Sequence, residues 1–298
     1  DTALSRYDRI IEKSPNDPLA KDSLRRKLNI FIAGRDWAKV IAAGENYLKT
    51  PFNGDDTLSK EIYEIVAAAH YNTGLQMNAE GKYLEAARYL SSMADEYKGS
   101  KVANASLIES FESYKKSKDV SSSTKGIETL FENNIKSDIA PLLLIELGDR
   151  ERDRLNFEKA KQHYRNAFDR YATNKNSQIA VLRLAFLENA LGQKEQSART
   201  YLRFYKISDD ENAKRDAMLK AMLDLSETND SKELDSIQKK AFAGLAKDNN
   251  KLAMAHLIYA KNCMLENRTK NYYDHMEQAE RIIKKKSNKN LCHHISFH

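Results

Sequence analysis

Between Asn156 and Tyr171 the chain reads NFEKAKQHYRNAFDRY, and Phe157, Ala160, Tyr164 and Ala167 recur every three or four residues. That is the period of one face of an α-helix, with charged residues on the opposite face. Just upstream, Leu144, Leu147 and Gly148 form a second stripe of the same period. Together they predict two helices, from about 141 to 155 and from about 156 to 171. Gly148 and Ala160 are small where the two helices would cross, which lets the axes approach within ~8–10 Å.

The same frame recurs along the chain. Gly74, Ala86, Leu90 and Met93 make one copy, and Ala185, Ser197, Tyr201 and Phe204 another, with Gly192 in the turn between helices. Tyr114, Gly126, Leu130 and Asn133 give a poorer copy, and Ala260, Tyr272, Met276 and Ala279 a degenerate one. Met222 and Leu234 fit only as a helix pair, and Trp37, Val40, Gly44 and Tyr47 mark a second helix near the start. The anchors Ala3, Val40, Ala86, Gly126, Ala160, Ser197, Leu234 and Tyr272 are spaced 37, 46, 40, 34, 37, 37 and 38 residues apart. Steps of this size indicate stacked helix pairs, each burying its apolar stripe against its neighbours. ALSRYDRIIEKSPND places Ala3, Tyr7, Ile10 and Pro15 at second-helix offsets, so it reads as half of a repeat whose first helix lies upstream. The expected organisation is one array over 1–286, about seven pairs after a half repeat, with a flexible tail over 287–298.

Composition supports helices and removes other classes. Only 10 Gly and 4 Pro punctuate 298 residues, too few for the turns of a strand-rich fold. At 41% hydrophobic and 31% charged residues the chain can build a core, and no apolar run reaches the ~18 residues of a membrane helix. Seven Lys or Arg against three acids between Arg268 and Asn290 hold four of the +6 net charges, so the rest is nearly neutral. Two cysteines, Cys263 and Cys292, do not make a disulfide framework.

The spacing resembles the tetratricopeptide repeat, whose unit is about 34 residues with an L-G pair in the first helix and A-x3-F in the second. Leu147-Gly148 matches the pair, and Ala160, Tyr164 and Ala167 match the second helix. Glu151 and Ala172 depart from the expected aromatic and proline, and a mean spacing above 34 leaves a related array of longer helix pairs open. The resemblance implies an all-α, right-handed superhelical solenoid of antiparallel helix pairs. It also implies a concave face lined by the first helix of each pair. Carried over by position, that face is Tyr71, Leu75 and Asn78; Phe111, Lys115 and Lys118; Ile145, Asp149 and Arg152; and Leu182, Phe186 and Asn189. Asp149 would repel a peptide C-terminus, so a carboxylate clamp is not expected. The implied function is a non-catalytic scaffold that holds a peptide or partner subunits. ARYLSSMADEYKGSKVANASLIESFESY, echoed by FDRYATNKNSQIAVLRLAFL, further resembles the repeats of bacterial outer-membrane assembly lipoproteins and Tol-Pal accessory proteins. That points to a periplasmic or outer-membrane-associated location, with the cytoplasm as the alternative.

Chemistry is sparse. There is no glycine-rich phosphate loop, no H-E-x-x-H and no C-x-x-C, and no cofactor or metal is expected. Ser113-Tyr114-Lys115-Lys116 spells S-x-x-K without its companion motifs. His70, His163 and His256 lie inside expected helices, and Cys292, His293, His294 and His298 crowd the tail without a rigid element to hold a metal. A nucleic-acid-binding repeat protein is the alternative function, suggested by the basic end and 15 tyrosines. It lacks the regular base-reading positions such repeats carry.

Overall fold

A computed structural model describes residues 2–15, 17–51, 56–228 and 231–295; the side chains of residue 231 and of 285–295 lie outside it. The described residues form fifteen helices and no strand, grouped in two compact units, Asp1–Ile139 and Ala140–His298. The first unit holds α1 (Ala3–Lys13), α2 (Pro18–Ala33), α3 (Trp37–Lys49), α4 (Asp56–Ala79), α5 (Tyr83–Glu96), α6 (Ala103–Lys116) and α7 (Val120–Asn133). The second holds α8 (Ala140–Asp153), α9 (Phe157–Arg170), α10 (Ser177–Ala190), α11 (Lys194–Ile207), α12 (Glu211–Ser226), α13 (Ser231–Leu245), α14 (Asn249–Leu265) and α15 (Thr269–Ile295). In each unit, helices adjacent in sequence pack on each other as antiparallel pairs in single file. The fold is therefore an all-α array of helical hairpins.

Second helices α5, α7, α9, α11 and α13 begin at Tyr83, Val120, Phe157, Lys194 and Ser231, each 37 residues after the last. This regular step revises the sequence register at one place. The buried anchor of α7 is Ser123, fully inaccessible, and not Gly126. Gly126 lies one turn later, where an added Cβ would come within 2.2 Å of the Tyr114 ring. Here the aromatic is on the first helix and the glycine on the second, the reverse of Gly148 facing Tyr164. A small-against-aromatic pair in the wrong order imitated the anchor.

Local chemistry explains where the helices stop. In five pairs a three-residue turn joins the helices, and its middle residue, Arg35, Gly81, Leu155, Gly192 or Asn267, has positive φ, between 53° and 78°. The N–H after each of these reaches back to the carbonyl five residues earlier, as in Asn156 to Glu151 at 2.8 Å and Gln193 to Glu188 at 2.9 Å. That is the left-handed cap that closes a helix C-terminus. Gly81 and Gly192 adopt it without strain, whereas Leu155 holds it with a side chain. Asp36, Asp119, Asp210 and Asp248 accept from backbone N–H groups at the start of α3, α7, α12 and α14.

The core runs along each pair's seam. Val40, Ala86, Ala160, Ser197 and Leu234 are all fully buried at the anchor position. Close approach needs glycine at Gly148, where a Cβ would lie 2.5 Å from the Tyr164 ring. The array thins at its ends: α1 has no buried residue, Ala3 is exposed, and Tyr7 and Ile10 are half-buried.

Candidate functional site

Stepping by 37 from the first helix of one pair to the next marks a recurring face of the first helices. Four positions per helix recur: Ala68, Tyr71, Leu75 and Asn78 in α4; Ala105, Ile108, Glu112 and Lys115 in α6; Leu142, Ile145, Asp149 and Arg152 in α8; and Ile179, Leu182, Phe186 and Asn189 in α10. The revised register explains Phe111. At 5% exposure it belongs to the core, because it stands at the position of Gly74, Gly148 and Ala185, packed against the second helix. Ile108, 49% exposed, takes its place on the face. Lys118 lies in the turn after α6.

In the first unit the polar groups of this face are taken up by their own bonds, while Ile108 stays exposed. Asn78 donates to Glu109 at 2.8 Å, and its carbonyl oxygen is 2.9 Å from the Ser113 hydroxyl, so both ends of the amide clasp α6. Tyr71 is half-buried and its hydroxyl is held above the usual range by burial, then by Glu109. Lys115 pairs with Glu112 at 2.8 Å and lies 5.0 Å over the Phe111 ring. Arg25 of α2 grips Glu61 of α4 through two nitrogens, at 3.0 and 2.7 Å. Ser113, the serine of the S-x-x-K match, is fully buried beside Asn78 and the Glu109 carbonyl, with no opening for a substrate.

The second unit changes character along its length. Asp149 accepts from the Tyr164 hydroxyl at 2.7 Å and from Arg152 at 2.8 Å, with Arg183 of α10 at 3.8 Å. Burial first, and then this bond, push the Tyr164 hydroxyl well above its ordinary range. Ile145 is buried. From α10 onward the face is apolar: Ile179, Leu182 and Phe186 are 42%, 37% and 62% exposed. The next step of 37 reaches half-buried Leu219 and exposed Leu223 on α12; α14 follows at a step of 38, which brings exposed Met254 and Leu257 to the positions of Asp216 and Leu219, and Lys261 to that of Leu223. Side chains link these first helices. Asn189 donates to the buried Asp224 of α12, and Lys251 of α14 reaches Asp216 of α12 at 2.7 Å. Asn189, like Asn78, is thus an inter-helix clasp. Burial raises the Asp224 carboxyl above its ordinary range, while Ser197, Lys194 and Asn189 oppose that shift.

Leu219, Leu223, Met254 and Leu257 carry no motif; a signal for the first two lay in the 37-residue step from Leu182 and Phe186, and for the last two in the 38-residue step from Asp216 and Leu219. The Met222–Leu234 pair was too degenerate for groove positions to be transferred to it.

Other polar clusters are closed. His70 has Nδ1 2.6 Å from the Tyr89 hydroxyl and Nε2 3.2 Å from Glu45, beside a cleft of about 750 Å³ lined by Trp37 and Gln76. Both ring nitrogens are taken. His256 and His275 face each other through Nδ1 atoms 2.9 Å apart, with Phe242 stacked 4.3 Å from His256 and Tyr259 edge-on 4.7 Å from His275. Burial, then the neighbouring imidazole, brings His256 down to about 4. The contact leaves no space for an ion between them. Among the described residues no three His, Cys, Asp or Glu gather as metal ligands, and no helix is long and apolar enough to cross a membrane. The side chains of Cys292, His293 and His294, and all of His298, lie outside the described residues.

No family model and no curated protein matches the chain. Among solved structures it is similar to a signal-transduction ATPase with numerous domains and a tetratricopeptide repeat sensor, from Pyrococcus horikoshii. The identity is 16% and the TM-score 0.45, over 97% of this chain and 47% of that one. The chain thus spans about half of that protein's length. It is also similar to the P58(IPK) TPR domain, at 12% identity and TM-score 0.29 over 95% and 93% of the two chains. BtubC (BKLC) from P. vanneervenii gives 15% and 0.28 over 96% and 93%. At these TM-scores the assignment of the fold rests on the chain's own helices.

Proposed function

We propose that the protein is a non-catalytic scaffold that docks a segment of a partner protein on the first-helix face of its second unit. The observation that carries this reading is the run of solvent-facing apolar side chains on the first helices α10, α12 and α14, Ile179, Leu182 and Phe186 followed by Leu219, Leu223, Met254 and Leu257. Scattered exposed apolar residues are ordinary, whereas a contiguous set on neighbouring helices marks an interaction surface. In the first unit, by contrast, the polar groups of the corresponding face satisfy each other, with Ile108 exposed among them. Catalysis has no support in the arrangement, since Ser113 of the serine-nucleophile match is buried and the paired histidines are sealed by aromatics.

The test is a pull-down comparing the natural chain with Tyr71→Ala, Phe186→Ala and the double variant. Loss of partner with Phe186→Ala and retention with Tyr71→Ala is expected. Unchanged recovery by both variants would remove the face as the binding surface. The envelope location is part of the same proposal, supported by the tyrosine-and-turn motif around Tyr97 and Tyr171; cell fractionation that finds the protein in the cytoplasm would reject it.

A further inference from the structure

Resting on that docking reading, we infer the occupant's chemistry: an amphipathic α-helix with acidic residues beside its apolar stripe, lying across α10, α12 and α14.

The first argument is backbone accounting. An extended peptide brings an unpaired N–H and C=O at every residue, and burying them against apolar side chains without partners is costly. The polar groups around the face already have partners within the chain. Asn189 is on Asp224, the Ser226 hydroxyl donates to the Leu223 carbonyl at 2.7 Å, and Asp216 is held by Lys251 at 2.7 Å. A helix satisfies its own backbone and needs only apolar contact.

Dimensions agree. Ile179 to Phe186 spans seven residues of α10, about 10 Å at 1.5 Å per residue. Neighbouring helix axes lie ~8–10 Å apart, so three first helices offer about 20 Å, the length of a helix of roughly 14 residues.

Charge sets the flanks. Lys220 of α12 and Lys261 of α14 are exposed beside the apolar positions, and among the described residues neither is paired with a carboxylate; Lys220 lies 5.4 Å over the Tyr201 ring. Arg183 of α10 has Asp149 only at 3.8 Å. The acids of the face are paired: Asp216 with Lys251, and Asp149 with Arg152. The uncompensated sign is positive. Rim charges of this kind select partners and speed encounter more than they add affinity.

Two displayed peptide libraries of equal length test this, one in a helix-forming scaffold with randomised stripe and flanks and one unstructured. Both are selected on the full chain and counter-selected on Phe186→Asp/Leu223→Asp, with circular dichroism checking that the variant is folded. Enrichment of helices with large apolar residues at i, i+3 or i+4 and i+7, and with Asp or Glu on the flanks, is expected. A selected helix should weaken about 10-fold on Lys220→Glu/Lys261→Glu, and a basic-flanked version should recover. Winners from the unstructured library, or helices with neutral or basic flanks, would overturn this inference while leaving the docking face in place. Displacement of the selected helix by single-stranded RNA of equal total charge would assign the rim to phosphate and overturn it too. Libraries in which the counter-selection removes nothing would overturn the docking face itself.

Discussion

The two units use the same helix pair for different ends. In the first, the position that is Asn78 in α4 reaches into α6, Arg25 grips Glu61, and Lys115 folds over Phe111, so the polar groups of the first-helix face are used up. In the second, Asn189 makes the equivalent clasp, yet the positions around it are Leu182, Phe186, Leu219 and Leu223, which clasp nothing. A hairpin array needs its seams buried and its clasps made; first-helix positions outside seam and clasp are less constrained by folding. In the first unit the polar groups of that face satisfy each other and leave Ile108 exposed among them. From α10 onward the second unit's face is largely apolar, and burying that surface would be favourable at roughly 25 cal/mol per Å².

Two phenylalanines test this contrast most strongly. Phe111→Ala should destabilise by about 3–5 kcal/mol, as expected for emptying a packed aromatic site. Phe186→Ala should change stability by less than about 0.5 kcal/mol while weakening partner capture. Urea unfolding of both variants checks this, and equal losses would erase the distinction between core and docking residue. Gly148→Val comes next. Its added carbon would overlap the Tyr164 ring, and overpacking of this kind costs about 1–3 kcal/mol. An unchanged melting temperature would show that the seam yields, contrary to the tight crossing described for α8 and α9.

The pH dependence sharpens the picture of the far end of the second unit. His256 titrates at about 4 in the fold, below its ordinary 6.5, so the unfolded chain takes up this proton first. Its contribution to stability is therefore complete above about pH 6.5 and is lost as pH falls toward about 4. His275 is lowered in the same direction by burial. Melting curves at several pH values should show a decline in that window which His256→Gln flattens; an identical slope in the variant would detach the histidine pair from it. Smallest is Leu155→Gly, expected to stabilise by about 1 kcal/mol by relieving a left-handed backbone at an exposed turn. A loss of stability would mean that the leucine side chain makes a contact worth more than the strain.

Much of the fold was legible because its causes are local. The stripe from Phe157 through Ala167, the small residues Gly148 and Ala160, and Gly192 in its turn each state their structural role within a few residues. The face was less legible. Tyr71, Asp149, Arg152 and Asn189 do stand at its matched positions, but Phe111 was displaced by the Gly126–Tyr114 imitation of an anchor. Ile108 and Leu223 were invisible until the step of 37 was known, and Met254 until the step into α14 was known to be 38.

The amino-acid order alone determined that the chain forms helices, that they pair, and that the pairs repeat, because helix period, turn residues and small crossing residues act over short distances. Only the tertiary structure decided which polar groups are used up and which apolar ones are left over. Asn78 and Asn189 look like surface amides until α6 and α12 lie beside them, and Phe111 and Phe186 look alike until the facing helix is known. Those outcomes depend on which atoms of distant segments meet, and a pattern read along one strand of sequence does not contain that distance.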